Sequence, residues 1–145
     1  MTTANAESIA ERMGRLAQTR PDRVLLSCGG IDRTAAEIES SSNRLAHYFA
    51  SFGVADDDFV TVALPNGSLF VESVLAIWKL GATPQPVSPR LPGRELEAIV
   101  EIADPSLVLG VDDGRVPGRT TLPHDFVVPS GTPDTPQPVR FARFL

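Results

Sequence analysis

The stretch 59-FVTVALPNGSLFVESVLAIWKLGATPQPVSPRLPGRELEAIVEIADPSLVLGV-111 decides the fold. Phe59 to Leu64 is a β-rich apolar run closed by Pro65, Asn66 and Gly67, the pattern of a buried strand running into a turn. Ser68 to Leu80 is apolar on more than one face, as expected of a helix packed between a sheet and a further layer, and Gly81 caps it. Thr83 to Val87 then reads as a short strand. Pro84 and Pro86 cannot donate to a ladder on both sides, so this strand belongs at an edge or a strand end. A loop from Ser88 to Gly93 leads to a helix from Arg94 to Ala103, with Leu96, Ile99, Val100 and Ala103 inward. Leu107 to Val111 closes the series as a strand. Strands separated by single helices imply right-handed crossovers and a parallel sheet covered on both faces, so the fold class is α/β.

Working outward toward the N-terminus, Asp56, Asp57 and Asp58 form a polar turn. Before it, Thr34 and Glu37 have capping-box spacing, and Ile38, Leu45, Phe49 and Phe52 line one face of a helix ended by Gly53. Val24 to Cys28 and Ile31 to Arg33 flank Gly29 and Gly30, whose tolerance of positive φ suits a two-residue turn in a small β-hairpin. Ser8 and Glu11 open an amphipathic helix to about Gln18, which Pro21 stops.

Toward the C-terminus the composition shifts at Asp112. Pro117, Pro123, Pro129, Pro133, Pro136 and Pro138 punctuate a stretch with one convincing apolar cluster, Phe126 to Val128. The expected organisation is therefore an α/β unit over residues 1–111 and a Pro-rich connector over 112–145. The apolar end, from Phe141 to Leu145, fits either a tail docking into its own core or a chain interrupted before a strand.

Composition narrows the class of function. The formal net charge of −5 and the scattered arginines argue against a surface built to neutralise nucleic-acid phosphates. The lone Cys28 cannot form an intramolecular disulfide, and the first residues lack a basic segment followed by an apolar one, which points to a cytoplasmic protein. The most apolar segment, Leu69 to Ala82, is broken by Glu72 and Lys79 and falls short of the ~20 residues of a membrane span.

Catalytic candidates are few. His47 and His124 stand alone, His47 beside Tyr48 on a helix whose apolar face lies elsewhere, so a surface histidine is expected. The aspartates at 56 to 58 are better explained as a turn than as a cation site. Pro129, Ser130, Gly131, Thr132 and Pro133 lack the second glycine and the lysine of a phosphate-binding loop.

Read in order, several segments carry a resemblance. They are Arg20-Pro21-Asp22, Thr34-Ala35-Ala36-Glu37-Ile38, Ser42-Asn43-Arg44-Leu45-Ala46 and Gly53-Val54, then Val60-Thr61-Val62-Ala63-Leu64-Pro65-Asn66. Ala76-Ile77-Trp78-Lys79-Leu80-Gly81-Ala82 and Pro86-Val87-Ser88-Pro89-Arg90 complete the series. The whole resembles the N-terminal region of the adenylate-forming superfamily: acyl- and aryl-CoA synthetases, adenylation domains of peptide synthetases, and luciferases. No single motif is diagnostic; the ordered series from about Arg20 to Gly110 is.

The resemblance implies ATP-dependent activation of a carboxylic acid to an acyl-adenylate, with Mg²⁺ and a C-terminal lysine managing phosphate charge, then transfer to coenzyme A. It also implies that the phosphate loop, the acyl pocket and that lysine belong to a remainder beyond Leu145. The 145-residue chain is accordingly expected to be inactive alone, to hold no cofactor tightly, and to self-associate through exposed sheet. Arg90, in the loop Ser88-Pro89-Arg90-Leu91, is the site residue the resemblance supplies, as a contact for the 3′-phosphate of coenzyme A; a surface arginine is the alternative. A peptide-synthetase adenylation domain, an acyl-AMP ligase and a short noncatalytic binding module are the other readings.

Overall fold

The computed structural model describes residues 6–136. In chain order its elements are α1 (Ile9–Thr19), β1 (Val24–Cys28), β2 (Ile31–Thr34), α2 (Ala35–Ala50), β3 (Phe59–Val62), α3 (Ser68–Lys79), β4 (Thr83–Pro86), α4 (Gly93–Ala103), β5 (Leu107–Leu109) and β6 (Thr121–Leu122). β3, β4, β5 and β6 form one sheet in the order β4-β3-β5-β6, with every neighbouring pair parallel. β1 and β2 form a separate antiparallel hairpin, turned by Gly29 (φ 59°) and Gly30 (φ 78°).

The two prolines of β4 explain its place at the edge. Thr83 N donates to Asp58 O at 2.8 Å and Val87 N to Val62 O at 3.0 Å. Alternate residues therefore face β3, and Pro84 and Pro86 fall on the other parity, where no donor is needed. Strand periodicity sorts the core in the same way. Val60, Val62, Leu107 and Leu109 pack with Leu45, Phe49 and Ile77 on one face of the sheet. Val108 packs with Leu96, Val100 and Val116 on the other. Burying each such side chain contributes roughly 1.5–3 kcal/mol. Both helices with sequence-legible caps have them: the hydroxyls of Ser8 and Thr34 accept from the amides of Glu11 and Glu37, and the carboxylates of Glu11 and Glu37 accept from the amides of Ser8 and Thr34. α1 docks on the body through Met13, against Ala35, Ile38 and Leu75.

Two differences from the sequence reading have physical causes. α2 stops at Ala50, so Phe52 reaches the core from the following turn rather than from the helix. The stretch after Asp112 also contains a strand. Thr121 and Leu122 pair with Val108 and Leu109, and Gly110 N donates to Leu122 O at 2.8 Å. Two residues are too few to show an alternating pattern, which is why composition alone reads that stretch as a connector. Beyond it, Phe126 and Val128 pack on the main core, while Val127 between them is 80% exposed. Residues 141–145 lie outside the described residues.

Candidate functional site

In open parallel sheets, ligands bind at the carboxyl ends of the strands where successive connections leave in opposite directions. Here the connection from β3 leads through α3 to β4 on one side, and the next leads through α4 to β5 on the other. The loops that gather at this end are residues 65–67, 88–91 and 110–116. Gly110 (φ 83°) shapes it: a Cβ there would lie 2.2 Å from Ala63 O. Only glycine fits both that conformation and that close backbone approach.

Arg90 lies in the loop that follows β4. Its amide donates to Ser88 Oγ at 3.2 Å, and Arg115, from the loop after β5, donates through Nη2 to Leu91 O at 3.2 Å. The backbone is thus pinned from both sides, while the Arg90 side chain is exposed and bonds no other described residue. Arg94, in the first turn of α4, is exposed as well. The chemistry this edge offers is anion recognition by guanidinium groups on a fixed loop. Arg115 was not singled out in the sequence; its signal is weak, because one arginine in a polar loop carries no spacing.

The second polar constellation is internal. Lys79, only 4% exposed, donates through Nζ to Glu39 Oε2 at 2.7 Å and to Asn43 Oδ1 at 2.8 Å. Burial lowers its pKa, and the bond to and charge of Glu39 oppose that shift. On the same helix, Glu72 Oε1 accepts from Arg33 Nη2 at 2.7 Å, and Arg33 also donates to Ser41 Oγ. Burial raises the pKa of Glu72, with Arg33 opposing. The two charges that interrupt the apolar run of α3 are therefore both paired: one ties α3 to α2 and the other ties it to the hairpin. Glu39 and Asn43, four residues apart on α2, were the available signal for the first pair.

The remaining candidates resolve as structure. Asp57 takes φ 65° and Asp58 Oδ2 accepts from Ala55 N, a turn; no group of acids, histidines and cysteine among the described residues could hold a metal ion. His124 is exposed. His47 is half-buried rather than free on the surface, and its Nε2 donates to Thr135 O at 2.8 Å. Residues 129–133 fold on themselves, with Thr132 N and Oγ1 both donating to Pro129 O. Among the described residues no helix is long and apolar enough to cross a membrane.

Comparison with known proteins places this architecture. CymA of Salinispora arenicola, a probable non-canonical nonribosomal peptide synthetase, is 35% identical over 108 residues, which is 74% of this chain and 1% of CymA. The N-terminal subdomain of Klebsiella oxytoca NpsA, solved with 3-hydroxybenzoyl-AMSN, superposes with a TM-score of 0.74 at 20% identity over 81% of this chain and 30% of that one. O-succinylbenzoate coenzyme A synthetase (MenE) of Bacillus subtilis, solved with AMP, gives 0.74 at 22% identity over 82% and 32%. These two likenesses establish the fold, and this chain spans only a small part of each relative. The family model described as AMP-binding enzyme matches residues 14–137, so the chain belongs to the AMP-binding enzyme family.

Proposed function

We propose that this chain supplies the N-terminal sheet of an enzyme that activates a carboxylic acid with ATP as an acyl-adenylate and passes the acyl group to a thiol. The observation that carries the proposal is the family match across residues 14–137. The described residues do not fit a triphosphate. The only lysine of the chain is buried against Glu39 and Asn43, and the turn at 129–133 spends its amide and hydroxyl on its own carbonyl. Activation therefore falls to residues outside those described, and no step of it is derived from these.

What this chain contributes is position and, at Arg90, a contact for the acceptor. The free guanidinium on a pinned loop suits the 3′-phosphate of coenzyme A through charge-assisted hydrogen bonds. A second reading has support in the similarity to CymA: the acceptor is the pantetheine thiol of a carrier domain in an assembly line. The discriminating experiment uses the full enzyme containing this chain. Acid-dependent pyrophosphate exchange is expected from it and not from the 145 residues alone. Arg90→Ala should leave exchange unchanged and raise the KM for coenzyme A about tenfold, the loss of one charge-assisted bond. Absence of exchange in the full enzyme rejects adenylation. Unchanged coenzyme A kinetics reject the Arg90 assignment, and turnover only with a carrier domain selects the second reading.

A further inference from the structure

Residues 129–136 carry Pro129, Pro133 and Pro136 and no regular secondary structure, yet they are attached to α2 along a line. Ser40 Oγ donates to Asp134 Oδ2 at 3.1 Å. Asn43 Nδ2 donates to Asp134 O at 3.0 Å, and Arg44 donates to Thr132 O and Pro129 O, both at 3.4 Å. His47 Nε2 donates to Thr135 O at 2.8 Å. Positions 40, 43, 44 and 47 follow the i, i+3, i+4, i+7 pattern of one helical face. All but one of these bonds end on main-chain carbonyls. An extended, proline-rich backbone offers unpaired carbonyls and few amides, so a row of side-chain donors is the complement it needs.

Asn43 joins this row to the interior. Its amide nitrogen holds Asp134 O while its oxygen holds the Lys79 ammonium. Pro136 walls the same cavity of about 180 Å³ that Lys79, Glu39 and Gly14 line. We infer that residues 129–136 form a strap docked on the donor face of α2, and that its release, without unfolding of the sheet, opens this cavity and exposes Lys79. The device rests on backbone recognition, so it is independent of the proposed ligase activity. Polar bonds near the surface and few apolar anchors give such a segment a lower opening free energy than the core.

Lys79 makes the opening directly readable, since it is the only lysine among these 145 residues. Acylation of Lys79 by an amine-reactive ester, followed by peptide mass spectrometry across a urea series below the unfolding transition, reports its exposure. The labelling rate is expected to depend only weakly on urea, as for a local opening. In the double variant Arg44→Ala, His47→Ala, whose changes leave the bonds to Lys79 in place, it should rise about tenfold, the effect of losing hydrogen bonds worth roughly 1.4 kcal/mol. Labelling with the full urea dependence of global unfolding overturns the inference. So does an unchanged rate in a double variant whose circular dichroism and melting transition are native. Should the double variant fail to fold, the urea dependence of the wild-type protein decides alone.

Discussion

Residues 59–109 and residues 120–136 belong to one folded body, but they are held in opposite ways. Apart from the edge of β5 that pairs with β6, the first region closes its backbone hydrogen bonds within its own strands and helices, and it offers side chains to the core. The second closes few of its own. It borrows β5 for two residues, lends Phe126 and Val128 to the core, and gives its carbonyls to Asn43, Arg44 and His47 of α2. Proline causes this difference, because each one deletes a donor and so prevents a segment from satisfying itself. Order in the second region is thus conditional on the first, and the reverse does not hold.

The strongest way to break that asymmetry is to damage the shared core. Phe49 is fully buried, and its ring meets Phe126 at 6.0 Å in an edge-on arrangement, so it supports both regions. Phe49→Ala should cost about 4 kcal/mol, from lost burial and the cavity left behind. The urea midpoint should fall in a single transition, with hydrogen-exchange protection lost together in both regions. Loss of protection confined to residues 120–136 would mean that Phe49 serves the second region alone.

A smaller effect is expected where one region hands over to the other. Gly110 donates to Leu122 O and leaves no room for a Cβ beside Ala63 O. Gly110→Ala should cost about 3 kcal/mol, combining an unfavourable positive φ with the backbone shift that the contact forces. If β6 simply detaches, the protection of the amides of Val108 and Gly110, which donate to Thr120 O and Leu122 O, will fall while the global transition stays in place. The two regions would then be more independent than the geometry indicates.

The same difference governs what the sequence made legible. Strand and helix assignments over residues 59–109 follow from periodicity, and Pro84 with Pro86 narrows β4 to an edge or a strand end, because those signals are local; the structure shows the edge. The hairpin turn and both capping boxes are local too. β6 was hidden because a two-residue strand exists only by virtue of the strand beside it. The docking of residues 129–136 was hidden because its donors lie some 90 positions earlier in the chain. Of the candidate site, Arg90 came from resemblance, and its exposed, pinned position is compatible with that role. The Lys79 and Glu72 pairs could only be guessed as charges inside an apolar helix, since their partners come from other elements.

Those two pairs give the smallest predicted effect and sharpen the comparison, because the Glu72 pair lies wholly outside the second region. Burial, more than Arg33, sets the pKa of Glu72, and it sets it upward. A folded-state pKa above the unfolded one means that the folded protein binds the proton more tightly. The stability from this group is therefore complete below the unfolded pKa and is lost as pH rises through the folded one. Lys79 has the complementary sign: its folded pKa is lowered, so its contribution is present above the unfolded lysine value and is lost as pH falls through the folded value. Relative to Glu72→Gln, which does not titrate, the wild-type chain should gain stability as pH is lowered from about 7 to about 5. Urea midpoints of the two proteins at both pH values measure this difference with the other carboxylates cancelling. A gap that moves the other way would mean that attraction to Arg33 outweighs desolvation. Exchange protection of residues 129–136 should shift only as far as global stability does, since no bond of Glu72 reaches the strap.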